Sequence, residues 1–217
     1  MSDWEERAAR ARERFADGAS RLPGDPDERQ RQLTRMANAA WAAGLSLLML
    51  GRVAEAREWL LRAADTYRES WSEAPPGSWG RPIGALKSRL IADDLEGARS
   101  DAGWALEAGA AVSESPIGRY AAALAELVLG DDPRGVALAR SLRGVDGFPP
   151  AVAAALVALG ERDRAGYERA IRDLVVDFES RTELLEDVPV ADTVLALQRL
   201  ARERGLEATV SSRMLPG

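Results

Sequence analysis

Leu47-Leu48-Met49-Leu50-Gly51-Arg52-Val53-Ala54-Glu55-Ala56 contains the phrase that decides the fold. An apolar helical run ends at a glycine, a short polar turn follows, and a small residue stands where the next helix presses back. Helices commonly end on a left-handed residue, and glycine takes that conformation without a Cβ clash. The phrase returns as Leu129-Gly130 to Gly135 and as Leu159-Gly160 to Ala165, with a degraded copy at Ala92-Asp93 to Ala98. Recurrence of such a unit marks stacked antiparallel helix pairs. The turn positions Gly51, Asp93, Gly130 and Gly160 are 42, 37 and 30 residues apart. That spacing predicts an all-α protein, an irregular antiparallel helical-hairpin stack of the tetratricopeptide-like, right-handed solenoid type with about ten helices.

Working outward, residues 1–24 read as a capping helix from about Asp3 to Phe15 and a connector, Gly18 to Gly24. Asp25-Pro26 supplies an N-cap and a first-turn proline, opening a long helix to about Leu50. A third helix spans about Val53 to Trp71. Ser72 to Pro82 carries tandem prolines and two glycines, which forbid regular structure, and Pro82 restarts a helix to about Ala92. Further helices are expected from about Leu95 to Ala108, from Ser115-Pro116 to Leu129, from Asp132-Pro133 to about Leu142, and from Pro149-Pro150 to a stop at Gly160. Tyr167, Ala170, Ile171, Leu174, Val175 and Phe178 form the clearest apolar stripe at helical spacing. A last helix is expected over about Pro189 to Arg204. The whole chain, 1–217, reads as one domain, with hairpins over 25–204 and an extended tail over 205–217. The alternation of Leu206, Ala208 and Val210 suits a tail lying along a groove of the stack.

Composition narrows the chemistry. The chain of 217 residues has no cysteine and no histidine. Disulfides, thiolate nucleophiles, Cys/His zinc sites and imidazole bases are thereby excluded. Carboxylates, arginines, tyrosines and the single lysine, Lys87, remain, and the expectation is a non-catalytic protein without a cofactor or a metal. Asp93-Asp94 and Asp131-Asp132 stand at helix junctions, where aspartates cap helix starts. The net charge of −6 is concentrated. Asp177, Glu179, Glu183, Glu186, Asp187 and Asp192 face one base, Arg181, within sixteen residues. A nucleic-acid partner is disfavoured, because phosphate binding needs a basic surface. A basic protein partner is allowed. No signal peptide or membrane span is evident, so the expected location is the cytoplasm.

Gly44, Leu47, Leu50, Gly51, Ala56, Leu60 and Ala63 resemble one unit of a tetratricopeptide repeat. A longer resemblance runs from about Pro75 to Pro216. It is carried by Gly77-Ser78-Trp79, by Phe148-Pro149-Pro150, and by Gly160 to Tyr167 with Ala170, Ile171 and Leu174. It closes on Val194 to Leu200, Gly205-Leu206, Val210 and Leu215-Pro216. In this order the motifs resemble immunity protein family 49 of bacterial polymorphic toxin systems. The resemblance implies an all-α protein that neutralises a cognate toxin by stoichiometric binding, through a concave face or inter-helix loops. The alternative is a tetratricopeptide-like adaptor that holds a peptide or assembles a complex.

Two groups of residues are candidates for partner contact. Glu183, Glu186 and Asp187 would steer a basic surface, unless they form an ordinary solvated helix end. Trp79 and Arg81 are residue types enriched at binding hot spots, although a tryptophan there also suits a plug for the end of the stack. Trp41, Trp59 and Trp104 lie within helices and read as core.

Overall fold

A computed structural model describes residues 2–217 and gives ten α-helices with no strand among them. They are α1 (Asp3–Ser20), α2 (Pro26–Met49), α3 (Val53–Trp71), α4 (Gly80–Ile91), α5 (Leu95–Glu107), α6 (Pro116–Leu129), α7 (Asp132–Arg140), α8 (Pro150–Glu161), α9 (Arg164–Ser180) and α10 (Asp192–Glu203). No described helix is long and apolar enough to cross a membrane.

One junction recurs four times. Gly51, Asp93, Gly130 and Arg162 are left-handed, with φ of 72°, 57°, 87° and 59°. The next residue's N–H closes the preceding helix on a carbonyl five residues back: Arg52 on Leu47, Asp94 on Arg89, Asp131 on Glu126 and Asp163 on Ala158, at 2.9–3.0 Å. This is the Schellman bond, and it satisfies a carbonyl the helix end leaves open. At three junctions the same residue then opens the next helix. Asp94, Asp131 and Asp163 accept through their carboxylates from the N–H of Gly97, Arg134 and Gly166. A single aspartate therefore ties two helices at a fixed angle.

Small residues set the spacing between paired helices. A Cβ on Gly44 would lie 2.7 Å from Leu60 Cγ, and one on Gly135 would lie 2.8 Å from Leu127 Cγ. Consecutive helices pack pairwise from α1 through α9, and α6 also touches α4 on one side and α8 on the other, giving an inner row. The stripe of α9 is buried at every expected position.

The C-terminal segment breaks the succession of hairpins. Helix α10 folds back to pack on α4 and α8, so it lies across the inner row rather than beside α9 alone. Val194, Leu197 and Leu200 join Leu86, Leu90, Leu124 and Leu156 in one continuous core. The tail follows in extended form, with Leu206 and Ala208 buried and Val210 half-buried. The Gln198 side chain holds it by bonding both the N–H and the carbonyl of Ala208, and Ala191 donates to the Met214 carbonyl at 2.9 Å.

Several expected boundaries move. Helix α1 runs to Ser20 and takes in Gly18, whose missing side chain admits Met36 of α2, so the connector is shorter than Gly18 to Gly24. Gly160 is not a helix stop. Helix α8 continues to Glu161, Arg162 makes the turn, and Gly160 instead clears space for Val136. Helix α7 starts at Asp132 as expected, capped by Asp131, but ends at Arg140 rather than near Leu142. Helix α4 begins two residues before Pro82, which its first turn tolerates because no intrahelical donor is lost. Helix α10 begins at Asp192 rather than Pro189, because residues 188–191 are drawn into contact with α2 and the tail.

Candidate functional site

The turn before α4 and the loop before α10 meet over a cavity of about 400 Å³. Its walls come from α2 (Thr34, Asn38, Trp41), from Trp79 before α4 and Arg81 and Lys87 within it, and from Leu185 and Asp192 on the returning segment. Gly77, at φ 81°, turns the chain so that Trp79 enters the protein, where it is 7% exposed. Trp79 packs on Trp71 with ring centres 5.4 Å apart and planes tilted by 39°, and Trp71 meets Trp104 edge-on at 5.7 Å. Gly118 of α6 makes room for this tryptophan, since a Cβ there would come within 2.8 Å of the indole nitrogen.

Arg81 is 8% exposed. Its Nε donates to Thr34 Oγ1 at 3.1 Å and its Nη2 to Gln30 Oε1, while Nη1 is buried without a hydrogen-bond partner. Burial pushes the guanidinium below its usual pKa. No carboxylate among the described residues pairs with it. Lys87, by contrast, is held on the Asp192 carboxylate and also donates to Thr193 Oγ1 at 3.1 Å. Tyr67 donates to Asn38 Oδ1 at 2.6 Å, and burial raises its pKa far above the ordinary phenol value.

The acidic run does not form one face. Asp192 points inward to Lys87, Asp177 pairs with Arg181 at 2.6 Å, and Glu179 accepts from Ser212 at 2.6 Å. Glu186 pairs with Arg14 of α1 at 2.6 Å, and the Asp187 carbonyl accepts from Arg7. Glu186 and Asp187 are both left-handed, with φ of 56° and 55°. Non-glycine residues hold that conformation at a cost of about 1 kcal/mol each, so the surrounding contacts must enforce it. Glu183 and the Asp187 residue remain exposed, and Leu185 between them is 53% exposed.

Trp79 and Arg81 thus line one cavity, while Glu186 and Asp187 line a smaller neighbour of about 200 Å³ with Arg7, Arg10 and Arg14. The loop carrying Leu185 separates the two. Sequence reasoning missed Leu185, Thr34, Asn38 and the Lys87–Asp192 pair, because they meet only once α10 folds back on α4. The solitary lysine facing an aspartate at a helix start was the one available signal.

Among the tryptophans expected in the core, Trp41 is buried, while Trp59 and Trp104 are partly buried beneath arginines. Arg62 lies 4.6 Å over the Trp59 ring and Arg68 lies 5.2 Å over that of Trp104. Comparison of the chain with protein-family models, curated proteins and solved structures finds no match.

Proposed function

We propose that the protein binds a protein partner stoichiometrically and blocks it, in the manner of the immunity proteins that its motifs resemble. The supporting observation is the loop between α9 and α10, where Leu185 stands out beside Glu183 and Asp187 while Arg7 and Arg14 hold the loop from below. A loop already ordered loses less conformational entropy on binding than a mobile one. An exposed apolar anchor with an acidic rim suits a partner with an apolar pocket set in a basic surface. A basic toxin domain answers that description. Around the larger cavity Lys87 is engaged with Asp192 and Tyr67 with Asn38, structural bonds that suit recognition better than catalysis.

An adaptor reading, in which the inner row of helices captures a peptide, is less favoured. That row is covered by α10.

Co-expression with the product of an adjoining toxin gene tests the proposal. The wild-type chain is expected to relieve toxicity and to co-purify with the toxin in a fixed ratio. Leu185→Asp is expected to abolish both while leaving the thermal midpoint unchanged. Relief of toxicity without a stable complex, or full retention of the complex by Leu185→Asp, would overturn it.

A further inference from the structure

We infer that the cavity between α2 and α4 is a binding site for a monoanionic carboxylate carried on an apolar or aromatic body. Three features, all meeting at Arg81, point there.

The first is Arg81. A guanidinium more than nine-tenths buried, with only the neutral acceptors Thr34 and Gln30 and with Nη1 unpartnered, is costly unless a counter-charge arrives. Arg81 is itself one of the residues that line the cavity.

The second is the start of α4. Trp79, at the N-cap position just before it, makes no side-chain cap, and the first turn holds no acid. Helix N-termini favour negative charge, yet this one carries a cation in its first turn. The arrangement is unfavourable without an anion and favourable with one.

The third is charge balance. Arg81, Lys87 and Asp192 are the charged residues of the lining, which leaves the wall at +1 in a chain of net charge −6. One negative charge neutralises it. Trp41, Tyr67, Trp79 and Ile83 supply the apolar surface that distinguishes an organic acid from a bare inorganic anion.

The inference does not depend on the toxin-blocking proposal, since it needs no partner protein. Its test uses the 217-residue chain, reading the six tryptophan indole N–H signals by NMR. Phenylacetate is expected to shift Trp41 and Trp79 saturably at low millimolar concentration, roughly −3 to −4 kcal/mol of binding, while Trp4 and Trp59 stay in place. Phenylacetamide, its neutral isostere, should bind at least ~10-fold more weakly, and so should inorganic phosphate. Arg81→Lys keeps the charge but loses the planar fork, and a ~10-fold loss of phenylacetate affinity is expected. If that variant fails to fold, the acid-to-amide ratio on the wild type still decides. Equal binding of acid and amide, tighter binding of phosphate, or no saturable shift at Trp41 and Trp79 would each overturn the inference. N-acetyl-phenylalanine run beside phenylacetate separates a peptide C-terminus from a free small acid, and preferential binding of either acid supports the site.

Discussion

Lys87 of α4 and Asp192, the first residue of α10, form an ion pair that bolts the returning C-terminal segment to the middle of the stack. Both side chains are largely buried, at 15% and 9% exposure. Asp192 also sits at the positive end of α10, where a carboxylate is favoured. Removing one partner strands the other charge in a poorly solvated place. Asp192→Ala is therefore expected to destabilise the fold by about 3 kcal/mol, near the lower bound for a buried pair because Lys87 keeps some access to water. The double variant Lys87→Met/Asp192→Leu should recover most of that loss. Urea denaturation of the two single variants and the double checks both statements, and a double variant no better than Asp192→Ala would refute the account.

Gln198 acts as a clamp on the tail. Its Oε1 accepts from the Ala208 N–H and from the Tyr167 hydroxyl, both at 3.1 Å, and its Nε2 donates to the Ala208 carbonyl at 2.5 Å. Gln198→Ala leaves a buried backbone N–H and carbonyl without partners, at a cost of about 2 kcal/mol. Amide exchange at Ala208 should accelerate far more than exchange in α9. Equal acceleration in both segments would mean that the clamp is not local.

Glycine positions separate packing from turn geometry. Gly160 lies in a helix, where alanine has the better propensity, but a Cβ there would stand 2.5 Å from Val136 Cγ2. Gly160→Ala is expected to destabilise by ~1–3 kcal/mol through overpacking. Gly103 of α5 has nothing within 4 Å of its would-be Cβ. Gly103→Ala should instead stabilise by ~0.5–1 kcal/mol. Thermal unfolding of the two variants must move the midpoint in opposite directions.

Most of the fold was legible because its signals are local. Pro26, Pro116, Pro133 and Pro150 open helices in the first turn, and Gly51 and Gly130 close them. The stripe from Tyr167 to Phe178 depends on spacing within one helix and emerged intact. Gly160 misled because a glycine near a helix end has two uses, a left-handed turn or a close approach, and sequence does not separate them. Arg162-Asp163 made the turn instead, a left-handed arginine that only the aspartate after it betrays. The site was half legible. Trp79 and Arg81 stood out as residue types in an irregular loop. That Arg81 is buried without a carboxylate, and that Leu185 and Asp192 close over it, follows from the crossing of α10 over α4, a contact between segments about a hundred residues apart.

Glu126 gives the fold a pH dependence of its own. It is buried in the last turn of α6, and desolvation together with the nearby Asp131 carboxylate raises its pKa above the usual 4.5, with Arg134 opposing. The negative end of the helix adds to the cost of ionising it. A raised carboxyl pKa means that the folded state binds the proton more tightly than the unfolded chain. The stability this contributes is present below the unfolded pKa and is lost as pH rises through the folded one. At neutral pH, therefore, the ionised Glu126 works against the fold. Glu126→Gln removes the charge and keeps the shape, so its thermal midpoint should exceed that of the wild type at pH 7. The difference should shrink on acidification as the wild-type carboxyl takes up its proton, and vanish near pH 4. A midpoint difference that is the same at pH 7 and pH 4 would show that the amide helps through packing or hydrogen bonding, not through loss of the charge.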